Sequence, residues 1–109
     1  MASENIVEVT DANFQAEVLG SKLPVLVDFW AAWCAPCRTI APHVEALAQA
    51  YSGQLRVGKL DLDSNPAIPT QYDIRSIPTL LVFKEGKVVG TLIGAYPKAK
   101  IEDLIKKAL

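Results

Sequence analysis

Residues 24–30 read Pro-Val-Leu-Val-Asp-Phe-Trp, apolar at successive positions and so on both faces of a strand. A strand without a polar face is buried on both sides, which puts it in the middle of a sheet covered by helices. Close behind it comes Trp33-Cys34-Ala35-Pro36-Cys37, which holds both cysteines of the chain. Ile40, Val44, Leu47, Ala48 and Tyr51 then recur at helical spacing, predicting a long helix from Cys34 to about Tyr51. A central strand therefore delivers a dithiol to the start of a helix. The unpaired N–H groups and positive dipole end at that position lower the energy of a thiolate, the form of cysteine that attacks disulfides. Cys34 sits earlier, where those groups are free, and is the expected nucleophile. Cys37 lies one turn on along the same face, where it can displace Cys34 from a mixed disulfide. The pair reads as a two-electron switch.

The competing readings of the cysteines are inert buried thiols or part of a zinc site. Zinc needs about four ligands, and beyond the pair the chain offers one histidine, His43, and carboxylates without ligand spacing. No metal is expected. A formal net charge of −1, with no basic run interleaved with aromatics, argues against nucleic acid as the main partner. No stretch is apolar enough for long enough to span a bilayer. The opening Met1-Ala-Ser-Glu-Asn-Ile-Val-Glu lacks the basic end and apolar core of a signal peptide, so a cytoplasmic location is expected.

The 109 residues, half of them apolar, suit one domain spanning 1–109, with neither repeats nor a linker. Ile6 to Val9 reads as a first strand, and Thr10-Asp11 as the cap of a short helix reaching about Leu19. Gly53 ends the long helix, inside which Pro42 predicts a kink. Leu55 to Leu62 is the next strand, and a short helix follows Asn65-Pro66. Leu80 to Phe83 and Val88 to Ile93 flank Glu85-Gly86, which has the chemistry of a tight hairpin turn. Pro97 opens a last helix with Ile101, Leu104, Ile105 and Ala108 on one stripe. The order βαβαβαββα makes a mixed α/β sheet covered on both faces.

Asp28 is the anomaly of the central strand. Burial raises a carboxylate's pKa, making Asp28 a candidate to take and return protons near neutral pH. The alternative is a structural acid paired with Lys59 on the adjacent strand. The proton role is favoured because an apolar side chain would pack better there. Trp33 adjoins the nucleophile and suits a docking surface, whereas Trp30 reads as core packing. His43 has no partner at triad spacing and reads as a solvated helix residue. Asp61 and Asp63 alternate with Leu60 and Leu62, as on a solvated strand rim.

Several segments together resemble the thioredoxin family over essentially the whole chain. They are Val27-Asp28-Phe29-Trp30-Ala31, Trp33 to Arg38, Ile40-Ala41-Pro42, Lys59 to Asp63, Ile74 to Thr79, Lys84-Glu85-Gly86 and Gly94. The resemblance implies a thioredoxin fold, a five-stranded mixed sheet flanked by four helices. It implies a protein-disulfide reductase in which Asp28 and Lys59 lie beneath Cys37. Ile77-Pro78-Thr79 matches the family's cis-proline loop; the backbone of Ile77 and Pro78, with Gly94 beside it, would pair with an extended target segment, next to Trp33, Ala35 and Pro36. The implied partners are disulfide-containing target proteins and a flavoprotein thioredoxin reductase drawing on NADPH, with the chain a monomer needing no bound cofactor. An oxidase or isomerase of the same fold would want an export signal and usually a histidine between the cysteines. A binding subunit with a vestigial dithiol would keep the fold alone.

One residue departs from the family pattern: Ala35 stands where glycine is usual. Alanine favours a helical first turn by about 0.8–1.0 kcal/mol over glycine. Ala35→Gly should therefore lower stability by up to about 1 kcal/mol in denaturant unfolding and shift the reduction potential modestly while insulin reduction persists. Loss of insulin reduction would show that the methyl group does more than tune the site.

Overall fold

The computed structural model describes residues 4–109. The first three residues, part of the stretch read for a signal peptide, lie outside that range. Five strands form one sheet: β1 (Ile6–Glu8), β2 (Val25–Trp30), β3 (Arg56–Asp61), β4 (Thr79–Lys84) and β5 (Lys87–Ile93). Their spatial order is β1-β3-β2-β4-β5. The β1–β3 and β2–β3 pairs are parallel, whereas β4 runs antiparallel to both β2 and β5. The strand apolar on both faces is thus the central one.

Among the described residues four helices cover the sheet: α1 (Gln15–Leu19, a wide π-type turn), α2 (Ala35–Ala50), α3 (Ala67–Gln71) and α4 (Lys98–Lys106). Alternation along β2 sorts its side chains. Leu26 packs with Ile40, Val44 and Leu47 of α2 and with Ile101 and Ile105 of α4. Val25, Val27 and Phe29 point the other way, into a cluster with Phe14, Val18 of α1 and Ile68 of α3. By the same alternation Asp28 and Trp30 share the α2 face with Leu26. Among the described residues no helix is long and apolar enough to cross a membrane.

Local chemistry accounts for the boundaries. Glu85 and Gly86 both have positive φ, 54° and 79°, as a two-residue hairpin turn compatible with strand twist requires. Helix α2 continues through Pro42 as one element. Proline there deletes the N–H that would meet the carbonyl four residues earlier. The helix reaches Tyr51 as its C-cap, two residues before Gly53.

The cap of the first helix differs from expectation. Thr10 does act locally: its Oγ1 accepts the Asn13 N–H at 3.0 Å while Asn13 Oδ1 accepts the Thr10 N–H at 2.7 Å. Asp11 instead serves a helix distant in sequence. Its carboxylate accepts N–H groups of Ala67 at 3.0 Å and Ile68 at 2.9 Å, at the start of α3. A short helix that begins at Ala67, after Asn65-Pro66, has few internal bonds, so an external acceptor for its first amides matters more than a local one. Asp11→Ala should cost about 0.5–2 kcal/mol in denaturant unfolding; an unchanged midpoint would show that solvent replaces the carboxylate without loss.

Candidate active site at the start of the long helix

Cys34 is the N-cap of α2, with extended backbone (φ −93°, ψ 106°), followed by Ala35 and Pro36 in the first turn. Its Sγ accepts the N–H of Cys37 at 3.2 Å. A sulfur therefore occupies the place usually taken by a serine or aspartate oxygen, and the helix directs a backbone donor at it. Cys34 and Cys37 are joined in a disulfide, Cα atoms 5.3 Å apart. Both are almost fully buried, in a small cluster with Ala31 and the flanking Trp30, Leu62 and Ile77. Ala35, Pro36 and Trp33 are exposed.

The Ile77–Pro78 bond is cis. The Ile77 carbonyl oxygen lies 3.9 Å from Cys34 Sγ. Pro78 itself is buried, and its carbonyl accepts the N–H of Gly94 at 2.9 Å. Gly94 has φ +112°, a conformation side-chain-bearing residues rarely adopt. Cys34 thus meets Ile77, and Pro78 meets Gly94, so residues 60 apart in sequence from first to last come together in the fold.

Behind the disulfide, Cys37 opens onto a cleft of about 240 Å³ lined also by Trp30, Ala32, Arg38, Ala41 and Lys59. Asp28 and Lys59 are cross-strand partners in the β2–β3 register. Asp28 is completely buried, and neither carboxylate oxygen has a hydrogen-bond partner among the described residues. Lys59 does not close on it as an ion pair; its Nζ lies over the Trp30 ring, 4.9 Å from the centroid. Burial pushes the Asp28 carboxyl up from 3.8 to about 7, against the smaller opposing attraction of Lys59. The site thus holds a carboxyl that changes charge near neutrality, on the α2 face of the sheet. Trp30, read from sequence as core, is half-buried, with this lysine's ammonium over its ring.

Two contributors went unrecognised in the sequence. Trp33 Nε1 donates to Asp63 Oδ2 at 2.9 Å, so Asp63 is more than a solvated rim residue. Arg38 Nη1 donates to the Ala32 carbonyl at 2.6 Å, tying the helix back to the loop that carries Trp33. Among the described residues no group of three or more His, Cys, Asp or Glu side chains could hold a metal ion.

A two-cysteine turn capping a helix, behind the central strand of a mixed sheet and facing a cis-proline loop, defines a thiol–disulfide oxidoreductase. Comparison with known proteins agrees: the thioredoxin family profile matches residues 5–107. The chain is 54% identical to thioredoxin 1 of Synechococcus elongatus over 101 residues, 93% of this chain and 94% of that one. It is 50% identical to the thioredoxin of Porphyra purpurea over 103 residues, covering 94% and 96% of the two chains. With the thioredoxin of Acidithiobacillus ferridurans identity is 50% over 107 residues, 98% and 99% of the two. The chain belongs to the thioredoxin family, whose members reduce disulfides in target proteins through a reversible dithiol such as Cys34–Cys37.

Asp28 carries a pH signature. An acid whose folded pKa exceeds its unfolded one holds its proton more tightly when folded. The folded state therefore loses stability as pH climbs from about 3.8 to about 7 and is level above that. Asp28→Asn removes this penalty. Relative to the parent it should gain stability across that interval, by on the order of 4 kcal/mol in total. Denaturant unfolding at several pH values reads the difference directly, and a pH-independent difference would contradict a raised Asp28 pKa.

Proposed function

We propose that Cys34 is the nucleophile, Cys37 the resolving thiol and Asp28 the proton acceptor of this disulfide reductase. The observation that carries the reading is the Cys37 N–H aimed at Cys34 Sγ, at 3.2 Å, from the first turn of α2. In the reduced protein that donor and the helix dipole favour a Cys34 thiolate. The thiolate attacks one sulfur of a target disulfide. A Cys34–target bond forms, the target S–S bond breaks, and the first target sulfur leaves as a thiolate that takes up a proton. Asp28 takes the proton of Cys37, through water. The Cys37 thiolate then attacks Cys34 Sγ, releasing the second target sulfur and closing the Cys34–Cys37 disulfide. Asp28 returns that proton, through water, to the second target sulfur, so that two electrons pass to the target with one proton from Cys37 and one from solvent.

The exposed Trp33, Ala35 and Pro36 and the backbone of Ile77 and Pro78 beside Gly94 form the docking surface, where an extended target segment adds by strand-like pairing. Lys59 tempers the charge of Asp28 from the adjacent strand. The chain acts as a single domain and a monomer in the cytoplasm, and a thioredoxin reductase drawing on NADPH returns its disulfide to the dithiol.

Insulin reduction by the purified protein with a dithiol donor tests the activity. The assignment of the two thiols is tested by Cys37→Ser, which should leave Cys34 able to attack but not to be released, so that stable mixed disulfides accumulate on target proteins. Capture by Cys34→Ser instead would reverse the roles.

A further inference from the structure

Strand β5 closes one end of the sheet and is paired, among the described residues, with β4 alone. An edge strand presents a row of unpaired N–H and C=O groups, which folds commonly blunt with lysine or a bulge. Here both devices sit in the first half of the strand. Lys87 opens it, and a register shift opposite Val82 and Phe83 leaves Val89 without a cross-strand partner. From Gly90 to Ile93 the pairing is regular, so that stretch keeps a regular outer edge. A groove lies along each of its faces. Thr91 and Ile93 stand opposite Leu81 and Thr79 on the α3 face, where a cavity of about 360 Å³ is lined mainly by Tyr72, Ile74, Leu81, Val88 and Ile93. Asp73 and Arg75, the charges at its rim, are engaged with each other at 2.9 Å. Leu92 faces α4, where a cavity of about 500 Å³ is lined also by Thr91, Lys100, Asp103, Leu104 and Lys107. Lys100, Asp103 and Lys107 recur at helical spacing and share a face. Among the described residues neither lysine closes an ion pair with Asp103, and cations outnumber it two to one. One groove is therefore apolar and the other net positive.

We propose that the Gly90–Ile93 edge of β5 is a second interaction surface, which takes an extended segment of a partner protein whose residues alternate apolar and acidic. The segment adds to the sheet as one more strand, its backbone pairing with the open edge. Successive side chains of a strand point to opposite faces. Apolar ones then enter the groove beside Tyr72 and Val88, and acidic ones between them meet Lys100 and Lys107. The period of two is what the two grooves select. A uniformly acidic segment would put charge into the apolar groove, and a uniformly apolar one would leave both lysines unmatched. The partner needs no cysteine, because this surface recruits and takes no part in thiol exchange.

The probe is a cysteine-free peptide of alternating valine and glutamate. Its controls are the alternating valine–lysine peptide and a block peptide with the same valines and glutamates in two separate runs. Amide nitrogen–proton NMR correlation spectra of the full-length oxidised protein, titrated with each to millimolar concentration, read both place and affinity. The valine–glutamate peptide should shift the amides of residues 90–93 and 100–107 more than those of Trp33, Cys34 and Ile77, and neither control should do so. Lys100 and Lys107 are exposed, so replacing both with glutamine should leave the fold intact, which the same spectra verify. Lys100→Gln/Lys107→Gln should raise the peptide Kd about three- to tenfold while insulin is reduced at the parental rate. Absence of shifts, or shifts confined to Trp33, Cys34 and Ile77, overturns the proposal. So does equal binding of the block peptide, which would make charge alone the attraction, or of the valine–lysine peptide, which would mean the lysines are not read. An unchanged Kd in the double variant overturns it too, and slowed insulin reduction there would make this edge part of the disulfide-target surface and not a second one.

Discussion

The N–H of Cys37 directed at the sulfur of Cys34 is the contact around which the molecule is arranged. It requires the first turn of α2 to begin at Cys34, which requires β2 to deliver the chain there. That in turn requires a sheet buried on both faces so that β2 can be its centre. Pro36 suits such a first turn, since its missing N–H has no intrahelical partner to lose. The cis-proline loop and Gly94 then close the front of the site from strands β4 and β5. Every element that packs on the α2 face therefore fixes where one sulfur sits relative to one backbone donor.

Asp28 shows what this arrangement costs in stability. A buried carboxyl without a protein partner is unfavourable in either charge state, and the ionised form more so. In the proposed mechanism this carboxyl takes the proton that Cys37 gives up. Lys59, held over Trp30, softens the ionised state from the neighbouring strand without neutralising it by direct contact. The same burial that sets its pKa near neutrality makes the fold less stable as pH rises toward that value.

The order of elements was legible because each segment's apolar period matches its structure: two-sided in β2, helical from Ile40 to Tyr51, alternating about Glu85-Gly86. The dithiol, its helix and the anomaly of Asp28 were legible for the same reason, being local. What escaped is long-range polar bonding. Asp11 caps a helix 56 residues away, and Asp63 holds an indole 30 residues away, because a short polar side chain in a loop looks the same whether it meets water or a distant amide. Lys59 could be placed beside Asp28 but not over Trp30, since strand register does not fix where a long side chain ends. The cis bond at Pro78 followed only from family resemblance, as nothing local in Ser76-Ile77-Pro78 demands it.

The central claim is that the helix start activates one sulfur of the pair and not the other. Brief alkylation of the reduced protein with iodoacetamide at pH 7, read by peptide mass mapping, compares the two directly. Modification of Cys34 well ahead of Cys37, and faster than that of an ordinary peptide thiol, is the result expected from a thiolate held at the helix N-terminus. Equal modification of the two, or Cys37 reacting first, would contradict it.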